Sequence, residues 1–530
     1  MKFITGQPRQ QTNLFPISLE ESIDTNNEVR VIDLFVDSLS LKEYGFDMEF
    51  IENGRPAYHP ADLLKLFIYG YLNKLRSSRD LEKECKRNIE VMWLLKCLQP
   101  DHNTISNFRR NNPKAIKKVF RITVQIAKHF DLIGGKLIAG DSTKLRAQNS
   151  KKNNYNQEKI ENHLAYIDNK LQEYNAALAE QDGDNKKQIH QAIERHEQRK
   201  QYYKEIEKQI KETGESQVST SDTESRKIIT RNNITEVAYN IQTTVDSKHC
   251  LPIDYKVTNT NDSKALGNML RRAKSILGTN EFTAIYDKGY YTGSELKIAQ
   301  ELGIEAIVAI PEVTSNAPDE RYNMINFKYS KEKDTYTCPE LHTLSSNGNW
   351  YSKSSGRHRV NIRVKHYRTK ACKNCPVSNL CTKNTNGRGR LIERSEYAQY
   401  MERNRVNVER NKSAYKQRQA IVEHPYGTIK RQWGFSYILT KQGRQRASAD
   451  AGFMFIAYNL RRILNILGID TFRDYLKTLA LSFLHLFSHI RTEISLFKKF
   501  IFFEIYLMNN FYPRLNRLIF GEHLMFNEGF

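Results

Sequence analysis

Apolar residues recur at three-and-four spacing over residues 60–130, and the pattern predicts a set of short helices. Leu63, Leu64, Phe67, Ile68, Tyr71, Leu72 and Leu75 form one buried face, with Pro60 in the first turn, where its missing N–H costs nothing. A second helix is expected after Ser77, through Leu81 and Cys85, and a third around Trp93 and Leu94. QPDHNTISNFRRN then supplies a turn, a cap at Asn103 or Thr104, and a short basic helix. In a helix-turn-helix, Ser106, Asn107, Arg109 and Arg110 would face DNA. The alternative is a plain helical domain with Arg109 as a surface charge.

Between 151 and 215 the spacing becomes stricter. Ile160, Leu164, Ile167, Leu171, Tyr174 and Leu178 mark one helix; DGDN at 182–185 breaks it; Ile189, Ile193, His196, Tyr203 and Ile210 mark a weaker second seam. Two such helices around a short turn predict an antiparallel hairpin, inserted into a larger domain and carrying no chemistry. The polar stretch 213–227 lacks periodicity and reads as a loop. Strand patterns surround this insertion: 136–147, then a hairpin of 236–246 and 250–259, then 282–287 and 304–310. Helices through Leu266–Ile276 and Ser294–Leu302 alternate with the later strands, which implies a mixed α/β sheet covered on both faces. After a gap of about a hundred residues, one helix is expected from about Lys412 to Arg431 and another through Phe453, Phe455, Ile456, Leu460 and Ile463.

Charge narrows the function. Lys and Arg number 82 against 60 Asp and Glu, a net +22, so a polyanionic partner is expected, with nucleic acid first. KHYRTK at 365–370, KNTNGRGR at 383–390, KRQWGF at 430–435 and KQGRQR at 441–446 combine phosphate-neutralising charge with rings, and Trp433 is the stacking candidate or else a core residue. The N-terminus lacks the apolar run of a secretory signal, and Thr478–Ile490 is too short to span a bilayer, so a cytoplasmic protein without membrane contact is expected. Cys338, Cys372, Cys375 and Cys381 can supply four thiolates to a structural Zn²⁺, or remain free thiols. Cys85, Cys97 and Cys250 read as small buried hydrophobes.

Three acids stand where chemistry is expected. Asp141 is placed at the end of the first apolar strand, Asp287 at the end of the fourth, and Glu423 on the late helix. Carboxylates at the carboxyl ends of neighbouring strands point into the crevice of an open α/β sheet. Hard oxygen donors without His or Cys suit Mg²⁺ or Mn²⁺ rather than zinc, and two such ions can drive an in-line phosphodiester displacement.

With IAGDSTKLRA around Asp141, AIYDKGYY around Asp287, YKQRQAIVEHPYGTIKRQWGF around Glu423 and TISNFRR ahead of them, the chain resembles the DDE transposases of bacterial insertion sequences, within the RNase H-like superfamily. The resemblance spans about residues 15–467. It implies that Asp141, Asp287 and Glu423 are the metal ligands, and that Lys430, seven residues after Glu423, belongs to the site. Arg418 and Tyr415 depart from the family spacing by one residue, with Gln419 where the Arg is expected. The implied organisation is a helical DNA-binding domain at 1–130, an RNase H-like catalytic domain at 131–467 and a helical extension at 468–530. The catalytic domain carries the hairpin insertion at 151–230 and a Cys-containing insertion at 311–411. The implied activity is metal-dependent cleavage and strand transfer at terminal inverted repeats, on double-stranded element and target DNA, by a homodimer. A DNA-binding relic without catalysis, or a metal-dependent DNA nuclease, are the rival readings.

Overall fold

A computed structural model describes residues 18–48, 56–180, 184–230, 234–312, 317–355, 360–384, 389–440 and 442–479. The chain divides into two compact units, 1–108 with 461–530, and 109–460.

In the first unit the helices Glu28–Asp37, Pro60–Leu72, Ser78–Arg87 and Ile89–Leu94 bury Phe35, Leu64, Phe67, Ile68, Tyr71, Leu81 and Val91. Lys65, in the apolar face, is kept charged by Asp33 at 2.6 Å and Asp37 at 2.7 Å. The basic helix begins at His102, earlier than Asn103 or Thr104 would place it. Its cap is Asp101, whose carboxylate accepts from the Asn103 and Thr104 amides at 2.8 and 3.1 Å. Ile105 and Phe108 turn inward, and Phe108 stacks on Phe67 with centroids 5.9 Å apart. Cys85 is buried and its thiol is pushed up to about 12 by that burial, whereas Cys97 is exposed in a left-handed turn and not a core residue.

The second unit is built on one sheet. Five of its six strands are β1 (Leu137–Arg146), β2 (Thr235–Asp246), β3 (Pro252–Thr258), β4 (Thr283–Tyr286) and β5 (Glu305–Val308). In space they run β3-β2-β1-β4-β5, antiparallel on the β3 side of β1 and parallel on the β4 side. The helices used below are α1 (Pro113–His129), α2 (Leu266–Leu277), α3 (Gly293–Glu301), α4 (Ala398–Arg410), α5 (Lys412–Tyr426) and α6 (Arg444–Leu467). Ile421 and Val422 of α5 pack on Ala139, Val245, Ile285 and Ile307, one face of the sheet. Asp254, opposite Thr244 and so on the other face by the two-residue period, ion-pairs with Arg272 of α2. Helices therefore cover both faces, and the sheet and its helices form the mixed α/β core.

Three departures from the pattern have local causes. Asp141 lies within β1 and does not end it: parallel pairing to β4 stops at Ala139, while antiparallel pairing to β2 carries β1 on to Arg146. The stretch 213–227 is not all loop, because Gln217–Ser219 pairs with Asn154–Asn156 at the root of the hairpin and Arg226–Ile229 pairs with β2. These short ladders are fixed by partners distant in sequence, so no local alternation announces them. Inside the region expected as an insertion, α4 returns to the sheet: the buried Asn404 amide accepts from the Val308 N–H at 2.9 Å and donates to its carbonyl at 2.8 Å. The rest of that region holds two small three-stranded antiparallel sheets.

The hairpin helices Gln157–Glu180 and Asp184–Thr213 pack through Ile160, Ile167, Tyr203, Ile206 and Ile210. Among the described residues no helix is long and apolar enough to cross a membrane. The extension from residue 480 onward, with most of the apolar run to Ile490, lies outside the described residues.

Gly140 is held to glycine by packing. A Cβ there would stand 1.9 Å from Cε1 of the fully buried Tyr286. Gly140→Ala is expected to destabilise the sheet by about 1–3 kcal/mol, read as a lower urea midpoint by circular dichroism. An unchanged midpoint would mean that the Tyr286 ring has room to move.

Candidate functional site

β1 and β4 bring two of the three acids together. Ala139 pairs with Ile285, so two residues on, Asp141 and Asp287 stand level on neighbouring parallel chains and on the same face. Asp287 follows β4 directly and caps the next turn, accepting from the Gly289 N–H at 2.9 Å. Asp141 accepts from the Ser142 N–H at 2.7 Å and faces the Arg418 guanidinium at 3.3 Å. Burial nonetheless holds the Asp141 carboxyl above the usual carboxylate range; Arg418 and the Ser142 amide oppose this, and the charge of Asp287 adds to it.

The third acid is placed differently. Glu423 projects from α5 into solvent and accepts from the Gln419 amide at 3.0 Å. The α5 side chains that bond to Asp141 are Arg418 and Tyr426, whose hydroxyl donates to the Asp141 carbonyl at 3.2 Å. Arg418, off the family spacing by one residue, is thus the guanidinium that reaches Asp141. Pro425 lies buried near the end of α5 without breaking it, and a π-helical segment, Gly427–Gln432, follows. That wider turn replaces the expected straight α-helix through Arg431 and re-aims Lys430, whose ammonium donates to Thr143 Oγ1 at 3.0 Å and to the Lys144 carbonyl at 3.3 Å. Trp433 is half-buried against Phe435, with centroids 5.6 Å apart.

Asp262, beyond β3, was not singled out by pattern. It accepts from the Asn240 and Gln242 amides at 2.8 and 2.6 Å and pairs with Lys144 at 3.3 Å. Burial pushes its carboxyl up, but Lys144 and the two amides outweigh this and hold it below the usual range. A Cβ on Gly289 would sit 3.1 Å from Asp287 Oδ1 and 3.5 Å from Asp262 Oδ2, so Asp262 borders the same crevice. An acid just past a strand's carboxyl end was the signal available. The buried Tyr290 hydroxyl donates to Gln242, which ties this row together.

Other candidates fall elsewhere. Arg109 does not face outward: its side chain is 5% exposed and pairs at 3.7 Å with Asp450, which is 0% exposed. The helical turn that exposes Asn107 and Arg110 necessarily points Arg109 inward, with Ser106 half-buried. Cys338, Cys372, Cys375 and Cys381 are free and half-buried. Burial pushes the Cys381 thiol up; Arg390 opposes this, and Cys372, Cys338 and Cys375 add to it. Cys338 and Cys381 pack against an aromatic cluster of Phe327, Tyr336 and Tyr367. Among the described residues no group of three or more His, Cys, Asp or Glu is arranged to hold a metal ion.

Residues 17–111 match the family described as "Transposase domain (DUF772)", and residues 337–464 the family described as "Transposase DDE domain". No curated protein matches the chain. Among solved structures it is similar to the cryo-EM structure of a piggyBac transposase synaptic complex with hairpin DNA, at 10% identity and a TM-score of 0.30, covering 89% of this chain and 82% of that one. It is also similar to the crystal structure of a pre-cleavage Mos1 transpososome, at 12% identity and a TM-score of 0.15, covering 50% and 64%. The chain thus carries, in this order, a region matching a transposase domain and a region matching a transposase DDE domain.

Proposed function

We propose that the protein binds the terminal inverted repeats of its own element, cuts them with water as nucleophile in a metal-dependent step, and joins the 3′-hydroxyl to target DNA. In this reading it acts in the cytoplasm as a DNA-bound homodimer, with residues 1–130 as DNA-binding domain and 131–467 as an RNase H-like catalytic domain. The observation that carries it is the level placement of Asp141 on strand one and Asp287 after strand four, under a later helix bearing Glu423.

Asp141, Asp287 and Glu423 are the residues that would hold Mg²⁺ or Mn²⁺, because their donors are hard oxygens and because Asp141 is held up by burial even beside Arg418. When bound, such ions supply Lewis-acid activation of water and stabilise the leaving oxygen of an in-line displacement. The chain's own groups do the rest: Arg418 balances Asp141, Tyr426 fixes its backbone, and Lys430 pins β1 beside it. Ser106, Asn107, Arg110 and Trp433 are assigned to DNA contact, and Arg109 is withdrawn from that set.

Labelled DNA carrying the element's ends tests the reading, with Mg²⁺ or Mn²⁺, for wild type beside Glu423→Gln. Metal-dependent nicks and joined products from wild type are expected, with both lost by roughly 10²-fold or more in the variant while end binding persists. Full activity in the variant would remove Glu423 from the metal set. Nicks that are never joined would make the protein a nuclease, and binding without nicks would leave no enzyme.

A further inference from the structure

A second charged feature lies within the larger unit, apart from Asp141 and Asp287. A cleft of about 630 Å³ opens at the outer edge of the sheet, beyond β3. Among the described residues, five cations line it, Arg110, Lys117 on α1, Lys256 on β3, and Arg444 and Arg446 at the start of α6, against one carboxylate, Glu224. Glu224 is spent on Arg444, at 2.7 Å. The other four have neutral partners. Arg110 meets Asn111 at 3.1 Å, Lys117 the Tyr255 carbonyl at 2.9 Å, Lys256 the Asn268 amide at 3.4 Å, and Arg446 the Gln442 amide at 3.2 Å. Asp254 is close by but is held by Arg121 and Arg272.

Chain segments more than a hundred residues apart are therefore folded so that like charges converge in a concavity. A solvated face would let them spread. Burial pushes both the Lys117 and Lys256 ammonium groups below ordinary lysine values; neighbouring cations such as Arg272 add to this and the charge of Asp254 opposes it. The first amides of α6 do not supply the cleft's pull on negative charge, because Asp222 and Glu224 already accept from Gly443 and Arg444. The side chains do.

Position relates the cleft to the acids. Lys256 is opposite Gln242 on β2, and Gln242 is opposite Ser142 on β1, one residue after Asp141. By the two-residue period Lys256 shares a face with Gln242 and Ser142, and Asp141 lies on the opposite one, so the cleft and the aspartates are separated by two strand spacings of about 4.8 Å and by the sheet itself.

We propose that this cleft is a phosphodiester-backbone site, in which Arg110, Lys117, Lys256 and Arg446 hold DNA at a place apart from the phosphate that is cut. The proposal rests on the transposase reading and adds a second, sequence-independent foothold to it. Arg446 and its neighbours belong to the KQGRQR segment, whose charge thereby acquires a role.

The test uses the full chain and a duplex carrying the element's end, with affinity measured from 50 to 300 mM KCl. The triple variant Lys117→Gln/Lys256→Gln/Arg446→Gln is expected to bind on the order of 10–100-fold more weakly near 0.1 M salt, with a log–log salt slope about 2–3 lower, near 0.9 per lost phosphate contact. Arg446→Lys alone, which keeps the charge, should keep the wild-type slope. A folded triple variant with wild-type affinity and slope overturns the proposal and leaves the transposase reading standing. A wild type that neither binds nor cuts the duplex overturns that reading first.

Discussion

Asp141→Asn and Asp287→Asn, each alone, are expected to lower DNA cleavage and joining by about 10³-fold or more while end binding survives. The carboxamide keeps the shape of the carboxylate and removes the charge on which a divalent cation depends, and lost transition-state charge stabilisation is worth several kcal/mol. The two substitutions should differ in stability. Asp141 is penalised by burial as a carboxylate, and its folded value is raised above the ordinary 3.8. Its contribution to the metal-free fold is therefore present at pH values below that unfolded value and is lost as pH rises through the raised folded one. At pH 7 Asp141→Asn should leave the metal-free protein as stable as wild type or more so, even with Arg418 unpaired. The difference between the two proteins' urea midpoints should shrink on acidification. Wild-type cleavage rates in either variant would show that these two level aspartates are scaffold and that the chemistry lies elsewhere.

Arg109→Ala is the second large effect expected, and it falls on stability. Removing the guanidinium takes the opposite charge away from Asp450, a fully buried carboxylate that also accepts from the Leu439 N–H at 2.6 Å. Breaking one side of such a pair costs about 3–5 kcal/mol. The chain has more than one compact unit, so a single melting temperature is a poor readout. Hydrogen exchange around Leu439 and Asp450 is the better one, and protection there should collapse. Arg110→Gln, one residue away and exposed, should leave that protection intact and weaken DNA binding. An Arg109→Ala protein with wild-type protection but lost DNA affinity would restore the outward orientation that the helix-turn-helix reading gives it.

Those two arginines show where sequence reasoning stops. Both lie in a short basic helix, and composition treats them alike. Only the packing of Ile105 and Phe108 decides which side of the helix is inside, and that choice sends Arg109 to Asp450, more than three hundred residues away. Glu423 is a similar case. Its context was legible in the motif, but its side chain points to solvent with Gln419, because Ile421 and Val422 take the buried face of α5.

What the sequence by itself determined is the part written in short-range periodicity. Alternation located β1 and β2, short apolar runs located β4 and β5, heptad-like spacing located the hairpin, and the two aspartates were visible as acids at the ends of apolar strands. Each signal is local, since a strand's two faces and a helix's stripe are set by neighbours a few positions away. Tertiary structure alone decided everything that needs a partner from afar. The ladders at Gln217–Ser219 and Arg226–Ile229, the π-helical turn that aims Lys430 at β1, the salt bridge from Arg418 to Asp141, and the place of Asp262 beside the crevice are of this kind. So is the cleft in which Arg110, Lys117, Lys256 and Arg446 meet. Periodicity records which way a residue faces relative to its own element, whereas a site is made of residues from several elements, and only the folded sheet sets the distances between them.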